Sequence, residues 1–174
     1  MDSYLAAQHL LQGGRRRLAF IVGPASIRQV ADRLNGARRA VGEYPDAALE
    51  VLDSDGQSVL AGRRIGNELV HRRAGALPDG IFCANDPLAL GVMQSLTMTP
   101  LVRIPEDVAL IGYDDIDFAA SAVAPLSSIR QPTADIGRTA IELLTEAIES
   151  DALNHRSVVF TPELIVRRST AGRS

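Results

Sequence analysis

Short apolar runs alternate with longer amphipathic stretches along most of this 174-residue chain. The runs lie at 17–22, 49–52, 81–84 and 107–112. The runs at 17–22 and 107–112 are apolar at nearly every position rather than at every second one, which predicts strands covered on both faces. The runs at 49–52 and 81–84 predict two further short strands. Apolar residues recur at helical spacing in the stretches between them, as at 27–43 and 57–72. Strands that alternate with helices predict an α/β fold, an open and mostly parallel sheet with helices on both faces.

The pattern changes after Asp117. The remaining stretches predict an extended segment, a helix with one apolar face and two short strands, at 125–132, 133–150, 157–160 and 163–166. A helix at 4–11 precedes the first strand, and Gly36 in the helix at 27–43 predicts close packing there. No internal repeat accompanies these elements.

Composition narrows the class of protein. A net charge of −3 gives no general attraction for nucleic acid, and a hydrophobic fraction of 46% is ordinary for a globular domain. The basic run Arg15–Arg17 is interpreted as a solvated turn. The single cysteine, Cys83, excludes a disulfide framework and predicts a buried thiol. No stretch is apolar enough for a membrane helix, and the first residues lack signal-peptide features, so we expect a cytoplasmic protein.

Polar side chains follow the predicted strands. Asn85 comes after the third apolar run, and Tyr113 and Asp114 come after the fourth. Because the carboxyl ends of parallel strands share one edge of a sheet, these residues should line one crevice. Asp114 can accept hydrogen bonds from two hydroxyls, whereas Asn85 can both donate and accept. The edge therefore suits a small polyol, sugar or nucleoside.

Other residues reach the same edge. Arg33 can donate a fork of hydrogen bonds from the side of its helix. Ser26 and Gln57 lie in turns that follow the first and second strands and are further candidate contacts. Structural interpretations stay open, since Arg33 can be a surface arginine and Asn85 a turn residue. Asp86, followed by proline, is interpreted as the cap of the next helix.

Catalytic motifs are absent from this sequence. It has no glycine-rich phosphate loop and no nucleophile elbow, and its three histidines lie away from the strand ends. Carboxylates at the edge leave one alternative, a magnesium-dependent phosphotransfer or receiver-like protein. They are Asp86, Asp114, Asp115 and Asp117. The chain contains no lysine to accompany a phosphoryl group, and we expect neither an enzyme nor a bound cofactor or metal.

Several segments, read in order, resemble the LacI/GalR family of bacterial transcription regulators. They are Gly14–Pro24, Arg33–Gly36, Phe82–Gly91, Ile104–Asp115 and Pro125–Pro132, with Leu164–Thr170 as the closing strand. In that family a helix-turn-helix reads operator DNA, and a two-lobed core similar to periplasmic sugar-binding proteins holds a small effector. The resemblance implies that Arg33, Asn85 and Asp114 contact the effector. It also implies that the helix carrying Leu88, Leu90 and Met93 forms the dimer surface.

The resemblance begins near the second lobe of the family's core. It implies that 1–130 and 157–174 form the C-terminal lobe, whereas 131–156 is a crossover that packs in the N-terminal lobe. We therefore predict the effector-binding and dimerisation part of a LacI-type regulator, whose operator DNA is bound by a domain outside this sequence. The apolar face of the helix at 133–150 should then be exposed. The alternative is a solute-binding protein of a sugar transporter, against which the missing signal sequence argues.

Overall fold

The computed structural model describes residues 2–23, 28–72, 76–149 and 156–171. In chain order the elements are α1 (Asp2–Gln12), β1 (Arg17–Val22), α2 (Arg28–Val41), β2 (Ala48–Asp53), α3 (Val59–Val70), β3 (Gly80–Cys83), α4 (Asp86–Thr97), β4 (Ala109–Tyr113), α5 (Asp117–Ser121), β5 (Ser127–Arg130), α6 (Thr133–Glu149) and β6 (Glu163–Ile165).

The six strands form one sheet in the order β2-β1-β3-β4-β5-β6. Neighbouring strands are parallel except β5 and β6, which are antiparallel. At the centre, Phe20 of β1 lies opposite Phe82 of β3, and their rings stack with centroids 4.7 Å apart. β3 and β4 are buried along their whole length, as is β1 beyond its first residue. This confirms the predicted mostly parallel α/β sheet.

The order of the strands decides where a crevice opens. The chain moves from β1 outward to β2, then crosses back to β3 and on to β4. Right-handed crossovers therefore place α2 on one face of the sheet and α3 and α4 on the other. The direction reverses between β1 and β3, and crevices at the carboxyl ends of strands form at such reversals.

Close contacts between helices depend on small residues. A Cβ on Gly91 of α4 would lie 2.1 Å from the carbonyl oxygen of Val59, and a Cβ on Gly62 of α3 would lie 2.1 Å from that of Leu88. Gly36 of α2 likewise faces the backbone nitrogen of Tyr4, which confirms the close packing predicted there. The two helix pairs can therefore approach more closely than larger side chains would allow.

Two sequence predictions about the course of the chain outside the site are wrong. Residues 157–160 do not form a strand, and Val159 is 89% exposed. A run with β propensity becomes a strand only where a neighbouring strand pairs with it. The interpretation of Arg15–Arg17 as a solvated turn also fails. Arg15 donates to the carbonyl oxygens of Pro105 and Glu106, and Arg16 pairs with Asp46.

Two other predictions are confirmed. Cys83 is a buried thiol. α6 buries none of its residues, and its apolar face includes Ile141, Leu144 and Ile148, each more than 60% exposed. No helix in the described part of the chain has both the length and the apolar character needed to cross a membrane.

Candidate functional site

The candidate site lies where β1, β3 and β4 end side by side. Their carboxyl ends lead into Gly23, Ala84–Asn85 and Asp114 respectively. We call the edge formed by these three strand ends the rim. The register aligns the strand ends, and the chain direction reverses between β1 and β3, so the rim borders the crevice expected at that reversal. Side chains from α2 and from the turn after β2 complete it.

Arg33 spans two of these strand ends. Its guanidinium carbon lies 3.6 Å from the centre of the Tyr113 ring, in cation–π geometry. Its Nη1 donates to the carbonyl oxygen of Ala84 at 2.5 Å. The guanidinium therefore joins the end of β3 to the end of β4, and Tyr113 is buried beneath it.

Asn85 is held from both ends of its amide. Its Oδ1 accepts from the backbone nitrogen of Leu88 at 2.9 Å, and its Nδ2 donates to the carbonyl oxygen of Gln57 at 3.0 Å. Asn85 is therefore the N-cap of α4, in extended conformation, and the assignment of that cap to Asp86 is wrong. Asn85 is buried, and these two hydrogen bonds fix the orientation of its amide.

The turn after β2 reaches the rim through Gln57. A Cβ on Gly23 would lie 2.6 Å from the Cγ and Nε2 of Gln57, so only glycine leaves room for this side chain at the end of β1. Ser26, a further sequence candidate, lies outside the described residues. The structure therefore brings Gln57 to the same rim as Asn85.

Asp114 and Asp115 take opposite roles. Both adopt left-handed backbone conformations, with φ of 99° and 52°, which aspartate tolerates better than most residues. Asp114 is exposed at the rim, where the Nε2 of Gln131 donates to its Oδ1 at 3.3 Å. The Asp115 carboxylate is buried and pairs with Arg167 and Arg130 at 2.5 and 2.6 Å.

The two arginines govern the ionisation of Asp115. Burial alone would raise the pKa of this carboxyl, but hydrogen bonds from Arg167 and Arg130 outweigh it, so the pKa lies below its usual value. Asp115 is therefore a charged structural residue, and of the two only Asp114 is exposed at the rim.

Asp86 is a buried carboxylate that sequence reasoning treated as a cap. It is fully buried, and it accepts from the Ser128 hydroxyl at 2.7 Å and from the Ile116 backbone nitrogen at 2.8 Å. Burial raises its pKa to about 6, with the charges of Asp114 and Asp115 adding to the rise and the two hydrogen bonds opposing it. Ser128 lies 42 positions away, so no local pattern could have revealed the contact.

These contacts also bear on the magnesium alternative. The described residues contain no group of three or more histidine, cysteine, aspartate or glutamate side chains that could hold one metal ion. The oxygens of Asp86 and Asp115 already accept hydrogen bonds from protein groups. The acidic residues of the edge are thus divided among separate roles, which disfavours a phosphotransfer centre.

An apolar groove lies beside the rim, between α4 and residues 116–123. It has a volume of about 520 Å³, and its lining includes Pro87, Leu90, Met93, Ile116, Phe118 and Val123. Phe118 and Val123 are 71% and 84% exposed. Leu88, grouped with Leu90 and Met93 from the sequence, is fully buried inside the fold and does not line the groove.

With the fold and site described, the class of protein follows. Residues 7–170 match the family model of the periplasmic binding protein-like domain, and the chain belongs to that family. Within it, the chain is of the LacI/GalR regulator type and corresponds to the effector-binding core of those regulators.

Three relatives illustrate the match. The chain is 33% identical over 175 residues to the HTH-type transcriptional repressor PurR of Aliivibrio fischeri, covering 98% of this chain and 50% of the relative. It is 31% identical over 169 residues to the ribose operon repressor of Haemophilus influenzae, covering 97% and 50%. A solved complex of the transcriptional regulator CelR with cellobiose superposes with a TM-score of 0.87 at 32% identity, covering 97% and 51%. The chain thus spans about half the length of these relatives.

Proposed function

We propose that this chain binds a small polyhydroxylated effector, of the sugar or nucleoside class, at the rim formed by Arg33, Asn85 and Asp114. The observation that carries the proposal is the convergence of these three side chains from separate parts of the chain. Arg33 contacts the carbonyl of Ala84 and the ring of Tyr113, the residues that immediately precede the other two.

The chemistry of the rim supports a ligand with hydroxyl groups. A carboxylate, an amide and a guanidinium together offer paired acceptors and donors, which hydroxyls use simultaneously. Gln57 adds a second amide at the rim, and we infer that it too faces the ligand. Among relatives, the names of the ribose operon repressor and of the CelR–cellobiose complex point to sugars.

We further propose that the chain acts within a repressor, where effector binding controls the affinity of a helix-turn-helix for operator DNA. In this proposal residues 1–130 and 157–174 form the C-terminal lobe, and 131–156 crosses to the N-terminal lobe. Effector bound between the lobes would favour one of two lobe arrangements, which is how a small molecule alters a distant site. Two copies would pair through the groove beside α4, as homodimers in the cytoplasm. The repressor relatives favour this proposal over a transporter's solute-binding protein.

A ligand screen tests the proposal. Thermal unfolding of the chain is measured with D-ribose, cellobiose and adenosine, and at least one should raise the unfolding temperature because it binds only the folded state. Asp114→Asn tolerates the left-handed backbone but removes the charge. It should weaken binding roughly ten- to hundredfold, since a hydrogen bond to a charged group contributes about 1.5–3 kcal/mol.

Asp117→Asn is the matched control, because Asp117 is an exposed aspartate three positions along that begins α5. This variant should bind the responding compound as tightly as the unmodified chain does, with the same rise in unfolding temperature. No response to any of the three compounds, or an unchanged response in Asp114→Asn, would contradict the proposed site.

A further inference from the structure

Asp86 has contacts that neither capping nor ligand binding explains. Its Oδ2 accepts from the backbone nitrogen of Ile116, and its Oδ1 accepts from the hydroxyl of Ser128. The same hydroxyl oxygen accepts from the backbone nitrogen of Asp115 at 3.1 Å. One buried carboxylate thus holds two successive amides of the turn that follows β4, one directly and one through Ser128.

That turn has a backbone which needs support. Asp114 and Asp115 are the only described non-glycine residues with positive φ, and two such residues in succession are unfavourable for side chains with a Cβ. The amides of Asp115 and Ile116 both point to the network centred on Asp86. The conformation that aims Asp114 at the rim therefore depends on this carboxylate.

Strand β4 leaves space for the carboxylate. A Cβ on Gly112 would lie 2.0 Å from the Oδ1 of Asp86, so any residue with a side chain at this position would displace it. Gly112 precedes Tyr113, whose ring lies under Arg33. The absence of a side chain at Gly112 of β4 therefore leaves the space that the Asp86 carboxylate occupies.

Asp86 also lies between the rim and the groove. It follows Asn85 of the rim and precedes Pro87, which lines the groove. Ile116, whose amide it binds, lines the groove from the opposite side and is the N-cap residue of α5. A shift of the turn at Asp114 would therefore move Ile116 relative to α4.

We propose that Asp86 is a positioning residue that couples occupancy of Asp114 to the geometry of the apolar groove, through the turn 114–116. The coupling rests on the proposed function, because it connects the proposed effector site to the proposed surface between two copies. Its physical basis is a single carboxylate that contacts the turn at the rim and lies next to the wall of the groove. Asp86 itself need not touch the effector.

Ionisation gives the coupling a measurable signature. When Asp86 is protonated, one of its carboxyl oxygens becomes an O–H donor, which weakens or rearranges the hydrogen bonds that the carboxylate accepts from Ser128 and Ile116. The charged and titratable groups around it are Asp114 and Asp115 in the turn and the Cys83 thiol of β3. Arg130 and Arg167 neutralise Asp115, so that carboxylate stays charged where Asp86 titrates.

The first test uses the full chain without ligand. Amide resonances of Asp115 and Ile116 are followed by nuclear magnetic resonance as pH varies around 6, where the pKa of Asp86 lies. Both should titrate with a midpoint near that value, and Asp86→Asn should abolish both transitions. Ser128→Ala is a second variant, which should abolish the response of Asp115 and keep that of Ile116. Flat profiles in the unmodified chain, or persistent titration in Asp86→Asn, would overturn the assignment.

The second test measures coupling. Asp114→Asn changes the charge at the rim, and it should shift the amide resonances of Phe118 and Val123 in the groove. In the Asp86→Asn background the same change should shift them at least several-fold less, and equal shifts in both backgrounds would refute the coupling. Neither test uses a ligand, so failure of D-ribose, cellobiose and adenosine to bind would contradict the proposed function and leave this result standing.

Discussion

At the scale of single residues, Asn85 caps helix α4 and Asp86 holds the turn after β4, and the sequence pattern does not show which residue does which. Either side chain can cap a helix that has Pro87 in its first turn. The amide takes the cap because its oxygen accepts from Leu88 while its nitrogen donates to Gln57, and a carboxylate has no such donor. The carboxylate is left to accept two hydrogen bonds in a buried position.

A pH-dependent stability follows for Asp86. Because its pKa rises from 3.8 unfolded to about 6 folded, its favourable contribution is complete below pH 3.8 and is lost as pH rises through 6. The loss amounts to about 3 kcal/mol, at 1.36 kcal/mol per pKa unit. Urea unfolding at several pH values should therefore show the unmodified chain losing stability relative to Asp86→Asn over this interval.

The comparison needs both chains, since Asp115 acts with the opposite sign. Its lowered pKa gives stability that is present above 3.8 and lost in more acidic solution. Subtracting the Asp86→Asn curve from that of the unmodified chain removes this contribution. A difference curve without slope between pH 3.8 and 6 would refute the prediction.

At the scale of elements, the contact between α3 and α4 depends on glycines. Gly91→Ala would place a Cβ 2.1 Å from a backbone oxygen and 2.7 Å from the backbone nitrogen of Arg63, atoms that cannot move without displacing α3. Overpacking of this kind costs roughly 1–3 kcal/mol or more. We expect the free energy of unfolding, measured with urea, to fall by at least about 2 kcal/mol.

Gly137→Ala is the matched control for this substitution. Gly137 also lies within a helix, α6, but nothing stands within 4 Å of the Cβ position. Alanine favours the helix by about 1 kcal/mol there, so helix content by circular dichroism should rise and stability should not fall. Equal effects of the two substitutions would show that helix propensity, rather than packing, dominates at Gly91.

The sequence predicted elements whose signal is local. Strands β1, β3 and β4 were predictable because a strand covered on both faces must be apolar throughout. Residues 157–160 carry a similar apolar run, but no pattern within the run reveals whether a partner strand exists. Asn85 and Asp114 were predicted at one edge because each follows a strand of a parallel sheet, and Arg33 was predicted to reach that edge from the side of its helix. The contact between Asp115 and Arg167 joins residues 52 positions apart, and no local pattern predicts which distant residues meet.

At the scale of the whole molecule, the groove beside α4 offers the better-shaped surface for a second copy. It is concave and its walls come from two packed elements, whereas the apolar face of α6 stands away from the rest of the fold. Contiguous apolar surfaces with exposed side chains such as Phe118 are typical of interaction sites. An isologous contact across the groove would close after two copies.

Substitution in the groove tests this association. Leu90→Arg introduces a charge into the apolar wall, and analytical ultracentrifugation should show a dimer of the unmodified chain dissociating to monomers. Leu60→Arg is the control, because Leu60 of α3 is 63% exposed and does not line the groove. A monomeric unmodified chain, or equal sedimentation of both variants, would contradict pairing through this surface.

The ends of the sheet restrict how copies of the molecule can add to one another. β2 is an outermost strand, and it carries Glu50, whose carboxylate receives two hydrogen bonds from Arg72. An incoming strand would have to pack against this ion pair, and charged side chains on an edge strand oppose such pairing. At the opposite end, β6 is only three residues long. Both ends of the sheet thereby discourage growth into fibres by strand addition.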